Sequence, residues 1–218
     1  IALWLFKSLP FTATFEDYSA NTKMTGTWQQ AKDVQNAMTQ RTTWQSMSVV
    51  KIVQESSDIR SFYLEHDKGQ ALLPFEAGQY LTVKLTRGAN EKPVIRTYSL
   101  SSAPGEKYYR ISVKREADGT GSKLLHDGVK VGDIIEAKYP SGNFYFDTQV
   151  KRNVVLIAAG VGITPMISMA KHAMNEGFRN RVTQEVTVIH VARTSTQRAF
   201  YDEFNALASE HQGLLRYV

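Results

Sequence analysis

Between residues 44 and 138 the chain repeats one pattern six times: a short run of alternating apolar and polar residues, then a turn. Residues 79–85 show it most plainly, with Tyr80, Thr82 and Lys84 interleaved with Leu81, Val83 and Leu85. Alternation with a period of two marks a strand with one buried face. The other runs are 44–52, 59–65, 94–100, 108–114 and 133–138, parted by turn formers such as Ser56-Ser57-Asp58 and the glycines 128 and 132. Six such strands expose edges unless the sheet closes on itself. The pattern therefore predicts a six-stranded antiparallel β barrel with one helical turn near Ser122.

Beyond residue 147 the pattern changes. Residues 153–159 form a continuous apolar run, expected as a buried parallel strand. Gly160-Val161-Gly162 then turns sharply, and Thr164-Pro165 opens a helix whose first turn tolerates proline. Met166, Met169, Ala170 and Ala173 mark its buried face, and Gly177 its end. A strand at 186–191, a helix starting near Arg198 that carries Phe200, Phe204 and Leu207, and a strand at 214–218 follow. The fold class expected is thus a β barrel followed by an incomplete α/β parallel-sheet domain. The expected divisions are 1–43 (an extension with one short helix carrying Trp28, Ala31, Val34 and Met38), 44–147 and 148–218.

Composition excludes some chemistry. The 218 residues include no cysteine, so a disulfide or a cysteine-ligated iron centre is ruled out for this stretch. The five histidines, at 66, 126, 172, 190 and 211, show no metal-ligand spacing, and no metal site is expected. The net charge of +5 comes from dispersed lysines and arginines rather than a tract, which argues against nucleic acid and suits an anionic dinucleotide or an acidic protein partner. The opening apolar run is too short to span a bilayer and resembles no signal peptide, so a cytoplasmic location is expected.

Three short stretches carry the chemistry. Arg96-Thr97-Tyr98-Ser99 ends the fourth strand, where Arg96 and Tyr98 share one face. That surface offers a cation for a phosphate, a flat ring for a flat ligand and a small hydroxyl at its edge. An ordinary strand with an exposed arginine and a half-buried tyrosine has the same spelling. Gly119-Thr120-Gly121-Ser122 precedes Lys123-Leu124-Leu125-His126 and reads as a glycine turn at the start of a short helix, where free amides suit a phosphate. Gly160-Val161-Gly162-Ile163-Thr164-Pro165 has the strand, turn and helix of a dinucleotide site, with Pro165 where a third glycine would stand.

In this order and spacing the three stretches resemble the ferredoxin-NADP reductase-like flavoprotein reductases, and Val113-Lys114-Arg115 and Pro140-Ser141-Gly142-Asn143-Phe144 fit the same pattern. The resemblance runs from Thr43 to Val218 and is similar to the reductase domains of flavohaemoglobins. It implies that the barrel binds flavin: FAD, with FMN as the alternative found in some oxygenase reductases. By resemblance Arg96 holds the flavin phosphate, Thr97 and Tyr98 line the ring with Tyr98 packed on it, and Ser99 donates near N5. Tyr98 and Ser99 are accordingly the expected catalytic residues. Gly119, Thr120, Gly121 and Ser122 complete the phosphate site, Ile111, Ser112 and Val113 run beside the ribityl chain, and Phe144 or Phe146 stacks on adenine. Gly160, Gly162, Thr164, Pro165 and Arg193 are expected to bind the nicotinamide dinucleotide. Arg193, Ser195 and Arg198 lean towards NADPH, while relatives with a similar Ala-Arg-Thr stretch use NADH.

The resemblance implies a reductase that passes a hydride from NAD(P)H to flavin, then single electrons to a haem, an iron–sulfur centre or an oxygenase, on a protein or domain partner. Residues 148–218 are shorter than the family's nucleotide domain, so the chain is expected to be part of a longer protein whose other domains include one able to carry a [2Fe-2S] centre. Two other readings fit the residues: an electron-transfer or regulatory subunit without NAD(P)H turnover, and a non-catalytic binding module on the same fold.

Overall fold

The computed structural model describes residues 43–86, 88, 91–146, 152–180 and 184–218. The helix expected around Trp28 to Met38 lies outside the described residues. Six strands form the first sheet: β1 (Gln45–Gln54), β2 (Ile59–His66), β3 (Tyr80–Leu85), β4 (Val94–Ser99), β5 (Tyr109–Lys114) and β6 (Ile134–Ala137). Between β5 and β6 come a single helical turn, α1 (Thr120–Lys123), and a π-helical turn over Leu124–Gly128. The second sheet is parallel and holds β7 (Val154–Ala159), β8 (Val186–Val191) and β9 (Leu215–Tyr217), linked by the helices α2 (Ile163–Asn180) and α3 (Tyr201–Glu210).

The first sheet runs in the order β4-β3-β6-β1-β2-β5, all antiparallel. It is open, not the closed barrel that the strand count suggested. No ladder joins the two edges, β4 and β5; just past β4, Leu100 forms one isolated bridge with Ile111 and the Ser101 N–H donates to Arg110 O at 2.8 Å. The physical reason lies in the chain that leaves β4. Ser101 and Ser102 turn their hydroxyls onto the backbone of β5: Ser101 Oγ donates to Arg110 O at 3.1 Å, and the Arg110 N–H donates to Ser102 Oγ at 3.1 Å. The Arg110 amide thus goes to a side-chain oxygen where a continuing ladder would offer a carbonyl, and Pro104, lacking an amide hydrogen, follows at once.

β3 alternates as the sequence predicts, with Leu81, Val83 and Leu85 inward. β2 and β5 do not alternate in burial, because both of their faces are covered. Phe62, Leu64, Tyr109, Ile111 and Val113 fill the core of the first sheet, whereas Ser61, Arg110 and Ser112 are buried on the other face. A second core lies between β7, β8 and the helices; Ile163, Ile167, Ala170 and Met174 recur at helical spacing along α2 and meet Leu156, Val188 and Phe204. Ile59 and Ala77, from the first sheet's side of the chain, are also in this core. Hydrogen bonds join the same parts, among them Ser57 N–H to Thr196 O at 2.8 Å and Gln197 Nε2 to Asp58 Oδ2 at 3.2 Å.

Two buried histidines tie strands to turns. His126, on the π-helical turn, donates from Nε2 to the Val113 carbonyl at 2.7 Å, and His190 on β8 shares a 3.0 Å hydrogen bond through Nδ1 with the Tyr217 hydroxyl. Burial lowers the pKa of both rings, outweighing the Val113 carbonyl in one case and the Gly160 backbone in the other. Their contribution to stability is complete above the ordinary histidine value of about 6.5 and is lost as pH falls through the lowered folded-state values. Denaturant midpoints should therefore drop as pH falls below about 6.5. A His126→Gln variant should show a shallower drop, and an equal slope in the two proteins would remove His126 as a source of it.

Candidate functional site

The fourth strand lies at a sheet edge, with its partner β3 on one side only. In that ladder Arg96 faces Val83 and Tyr98 faces Leu81, while Thr97 and Ser99 face Thr82 and Tyr80. Paired residues share a face, so the motif is split: Arg96 and Tyr98 are together on one side, Thr97 and Ser99 on the other. Ser99 is the last residue of β4, half-buried beside Tyr80, and its hydroxyl bonds no other described residue.

α1 sits against the Arg96–Tyr98 face. A Cβ added to Gly121 would stand 2.8 Å from Arg96 Cγ and 3.2 Å from the Tyr98 hydroxyl. Only a residue without a side chain lets this turn approach the two so closely. The amides of Thr120, Gly121 and Ser122 head the turn and have no intrahelical acceptor, and no side chain caps them. Ser122 spends its hydroxyl locally, donating to Gly119 O at 3.3 Å and accepting from the Glu116 N–H at 3.2 Å. Its backbone, not its side chain, is left to meet a ligand.

Arg96 is exposed, and its Nη1 donates to its neighbour's carbonyl, Ile95 O, at 2.8 Å. Among the described residues no carboxylate pairs with it. An unneutralised guanidinium beside uncapped amides is a fit for a phosphate. Tyr98 packs on the first core, and burial pushes its phenol pKa up against the opposing pull of Arg96, so it remains a neutral, flat donor. The donor set and the glycine cradle both fit a flavin nucleotide.

The expected ribityl residues are placed differently. Ile111 and Val113 point into the first core, and Ser112 is held in a buried hydroxyl chain, 2.6 Å from Ser61 Oγ and 2.7 Å from Ser101 Oγ. Only the backbone edge of β5 is left to meet a ligand there. Of the two aromatic candidates for adenine, Phe144 is 44% exposed whereas Phe146 packs on the second core. Arg115, expected only as part of a motif, forks onto Asp127 at 3.0 and 2.9 Å and braces the π-helical turn.

The nucleotide turn lies within 8 Å of β5, Cα to Cα. Gly160 takes the left-handed φ of +52°, and nothing stands within 4 Å of an added Cβ at Gly160 or Gly162, so this side of the turn is open. Thr164 is buried and donates to Val161 O at 3.0 Å, and Pro165 is buried behind it. Both shape the turn. Arg193 is exposed beyond β8 with no carboxylate partner among the described residues. Arg198 is not free to reach out in the same way: its guanidinium lies 4.4 Å from the Tyr201 ring and 5.2 Å from that of Tyr217. Among the described residues no cluster of His, Asp or Glu is arranged to hold a metal ion, and no helix is long and apolar enough to cross a membrane.

Comparison with known proteins follows this division. Residues 46–146 match the oxidoreductase FAD-binding domain family and residues 156–218 the oxidoreductase NAD-binding domain family. The flavohemoprotein of Bacillus subtilis is 42% identical over 160 residues, covering 73% of this chain and 39% of the relative. That of Deinococcus radiodurans is 43% identical over 170 residues, covering 78% and 41%. The chain thus spans less than half the length of these curated relatives. Among solved structures, the flavohem-like FAD/NAD-binding domain of nitric oxide dioxygenase from Vibrio cholerae O1 biovar El Tor is similar with a TM-score of 0.71 and 35% identity, covering 79% of this chain and 72% of that one. Phthalate dioxygenase reductase is similar with a TM-score of 0.68 and 32% identity, covering 80% and 51%. An FAD-binding sheet with its glycine cradle and a parallel-sheet NAD-binding unit, in this order and at this similarity, place the chain in the ferredoxin-NADP reductase-like family of flavoprotein oxidoreductases.

Proposed function

We propose that the chain is the FAD- and nicotinamide-binding part of a reductase that oxidises NADH or NADPH and delivers electrons to a protein or domain partner. The observation that carries this is the meeting of Arg96, Tyr98 and Gly121 on one face of β4, with the open Gly160–Gly162 turn beside β5. When bound, the flavin supplies the chemistry, taking up a hydride and releasing electrons singly. The chain's own residues bind and orient. Arg96 and the amides of Thr120, Gly121 and Ser122 hold phosphate, Gly119 shapes their turn, and Tyr98 covers the flat ring. Thr97 and the β5 backbone at Ile111, Ser112 and Val113 line the rest. Ser99, with a hydroxyl that bonds no other described residue at the strand's end, is the donor to the reacting edge. Gly160 and Gly162 admit the dinucleotide, Thr164 and Pro165 hold their turn, and Arg193 meets the adenosine end.

A haem is the favoured acceptor, because relatives at 42% and 43% identity are flavohemoproteins. The absence of a carboxylate at Arg193-Thr194-Ser195 leaves a 2′-phosphate unopposed, which favours NADPH without excluding NADH.

Anaerobic stopped-flow on the full-length, FAD-loaded protein tests this. NAD(P)H should bleach the flavin absorbance, and a flavin that stays oxidised overturns the reading in favour of a subunit without nicotinamide turnover. A Ser99→Ala variant should keep its flavin and lose about tenfold in reduction rate, the equivalent of one hydrogen bond. An unchanged rate would remove Ser99 from the reacting edge.

A further inference from the structure

Arg110 carries the feature least expected of its place in the chain. It lies on β5, where alternation would put a polar residue in water, yet it is 4% exposed. Its guanidinium uses both ends. Nε donates to Ser101 O at 3.2 Å and Ser101 Oγ at 3.1 Å, so it holds the segment two residues after Ser99. Nη1 and Nη2 fork onto Glu203 of α3, at 2.8 Å to Oε2 and 3.3 Å to Oε1. Glu203 also meets Lys171 of α2 at 3.2 Å, and Lys171 meets Glu106, between β4 and β5, at 2.6 Å. Four charges of alternating sign thus cross the seam, two from each side.

The surroundings hold this arrangement firmly. The guanidinium lies 4.9 Å from the Phe200 ring. Phe200, just before α3, has a φ of +61°, the only positive value outside glycine among the described residues. A bulky residue keeps that conformation only where its neighbours enforce it. Burial alone would raise the Glu203 pKa, yet Arg110 and Lys171 together hold it below the usual carboxylate value, so the pair is charged at neutral pH. A buried ion pair contributes little net stability against an apolar replacement, and its best use is to specify one arrangement.

We propose that Arg110 and Glu203 are positioning residues that set the separation between the flavin strand and the nicotinamide turn. The proposal rests on the reductase reading above. β5 carries Arg110 and lies beside the Gly160–Gly162 turn, and Ser101 follows β4 directly. A clamp through these three points governs how near two cofactors on either side can come. Hydride transfer requires that approach to be close. The pair touches neither the cradle at Gly121 nor the turn at Gly160, so it acts on rate and not on binding.

Arg110→Ala would leave buried acceptors unmet and can fail to fold, so the variants used are Glu203→Gln, which keeps the shape and removes the charge, and Lys171→Met. In the full-length FAD-loaded protein, Glu203→Gln should retain flavin content and nucleotide affinity within about twofold and lose about tenfold in limiting flavin-reduction rate. The charge-transfer absorbance of the nicotinamide–flavin complex should weaken, and amide exchange over residues 101–110 and 201–210 should quicken. Lys171→Met should move each readout the same way by less. Unchanged rate and charge-transfer absorbance in both variants would overturn the clamp, as would loss of flavin in step with rate, which marks a fold defect. Wild-type protein that NAD(P)H cannot reduce overturns the reductase reading itself.

Discussion

Replacing Arg96 by alanine is expected to weaken FAD binding by about 10- to 150-fold, the equivalent of about 1.5–3 kcal/mol for hydrogen bonds to a charged group. The side chain is exposed and pairs with no carboxylate among the described residues, so its removal leaves no buried charge behind. The flavin-free variant should unfold at the wild-type temperature. Arg96→Lys should recover part of the affinity, since an ammonium supplies charge but not a planar fork. The measurement is flavin content on purification, followed by titration with FAD under fluorescence. Full occupancy in the alanine variant would remove Arg96 from the phosphate site. Partial loss with a lowered unfolding temperature would instead assign it to the packing against Gly121.

Phe62→Ala should have the largest effect on the fold. Phe62 is fully buried in β2, facing Ile52 of β1 and Ile111 of β5 across the two ladders, with its ring 6.1 Å from that of His126 in an edge contact. It therefore holds three strands and the π-helical turn at one point. Truncating such a ring costs about 3–5 kcal/mol, against a total of about 5–15 kcal/mol for a native protein. Denaturant unfolding of the full-length protein should show that loss in the transition that includes the first sheet. A loss below about 1 kcal/mol would mean that the cavity collapses and that the ring is not the centre of this core.

Much of the architecture was legible because it is local. Alternation along residues 79–85 states which side of β3 is buried, and the structure has Leu81, Val83 and Leu85 inward. The apolar run before Gly160 announces a parallel strand, and β7 spans Val154–Ala159; it was expected to be buried throughout, but only Leu156 and Ala158 are, while Val155 and Ile157 are exposed on its other face. The geometry of the candidate site was legible in part for the same reason: Arg96 and Tyr98 share a face by the geometry of any strand, and Gly121 stands close to both. The charged seam was not. Nothing near Arg110, Lys171 or Glu203 in the chain names its partner, which comes from an element far along the sequence. That the Ser112 hydroxyl joins two other buried serines was not legible either, since Ser61 and Ser101 lie elsewhere in the chain.

The sequence by itself determined where the described strands and helices lie and where a glycine turn opens a short helix, since these follow from neighbours within a few residues. The helix at 201–210 shows the limit: the sequence places its apolar Phe204, but the left-handed Phe200 before it comes from packing beneath Arg110. Tertiary structure alone decided that the six-stranded sheet stays open. Closure depends on whether β4 and β5, ten residues apart from Ser99 to Tyr109, continue as a ladder past the Leu100–Ile111 bridge and the Ser101–Arg110 backbone bond or give way there to the hydroxyls of Ser101 and Ser102. That outcome is a competition between backbone and side-chain hydrogen bonds, and only the assembled edges settle it.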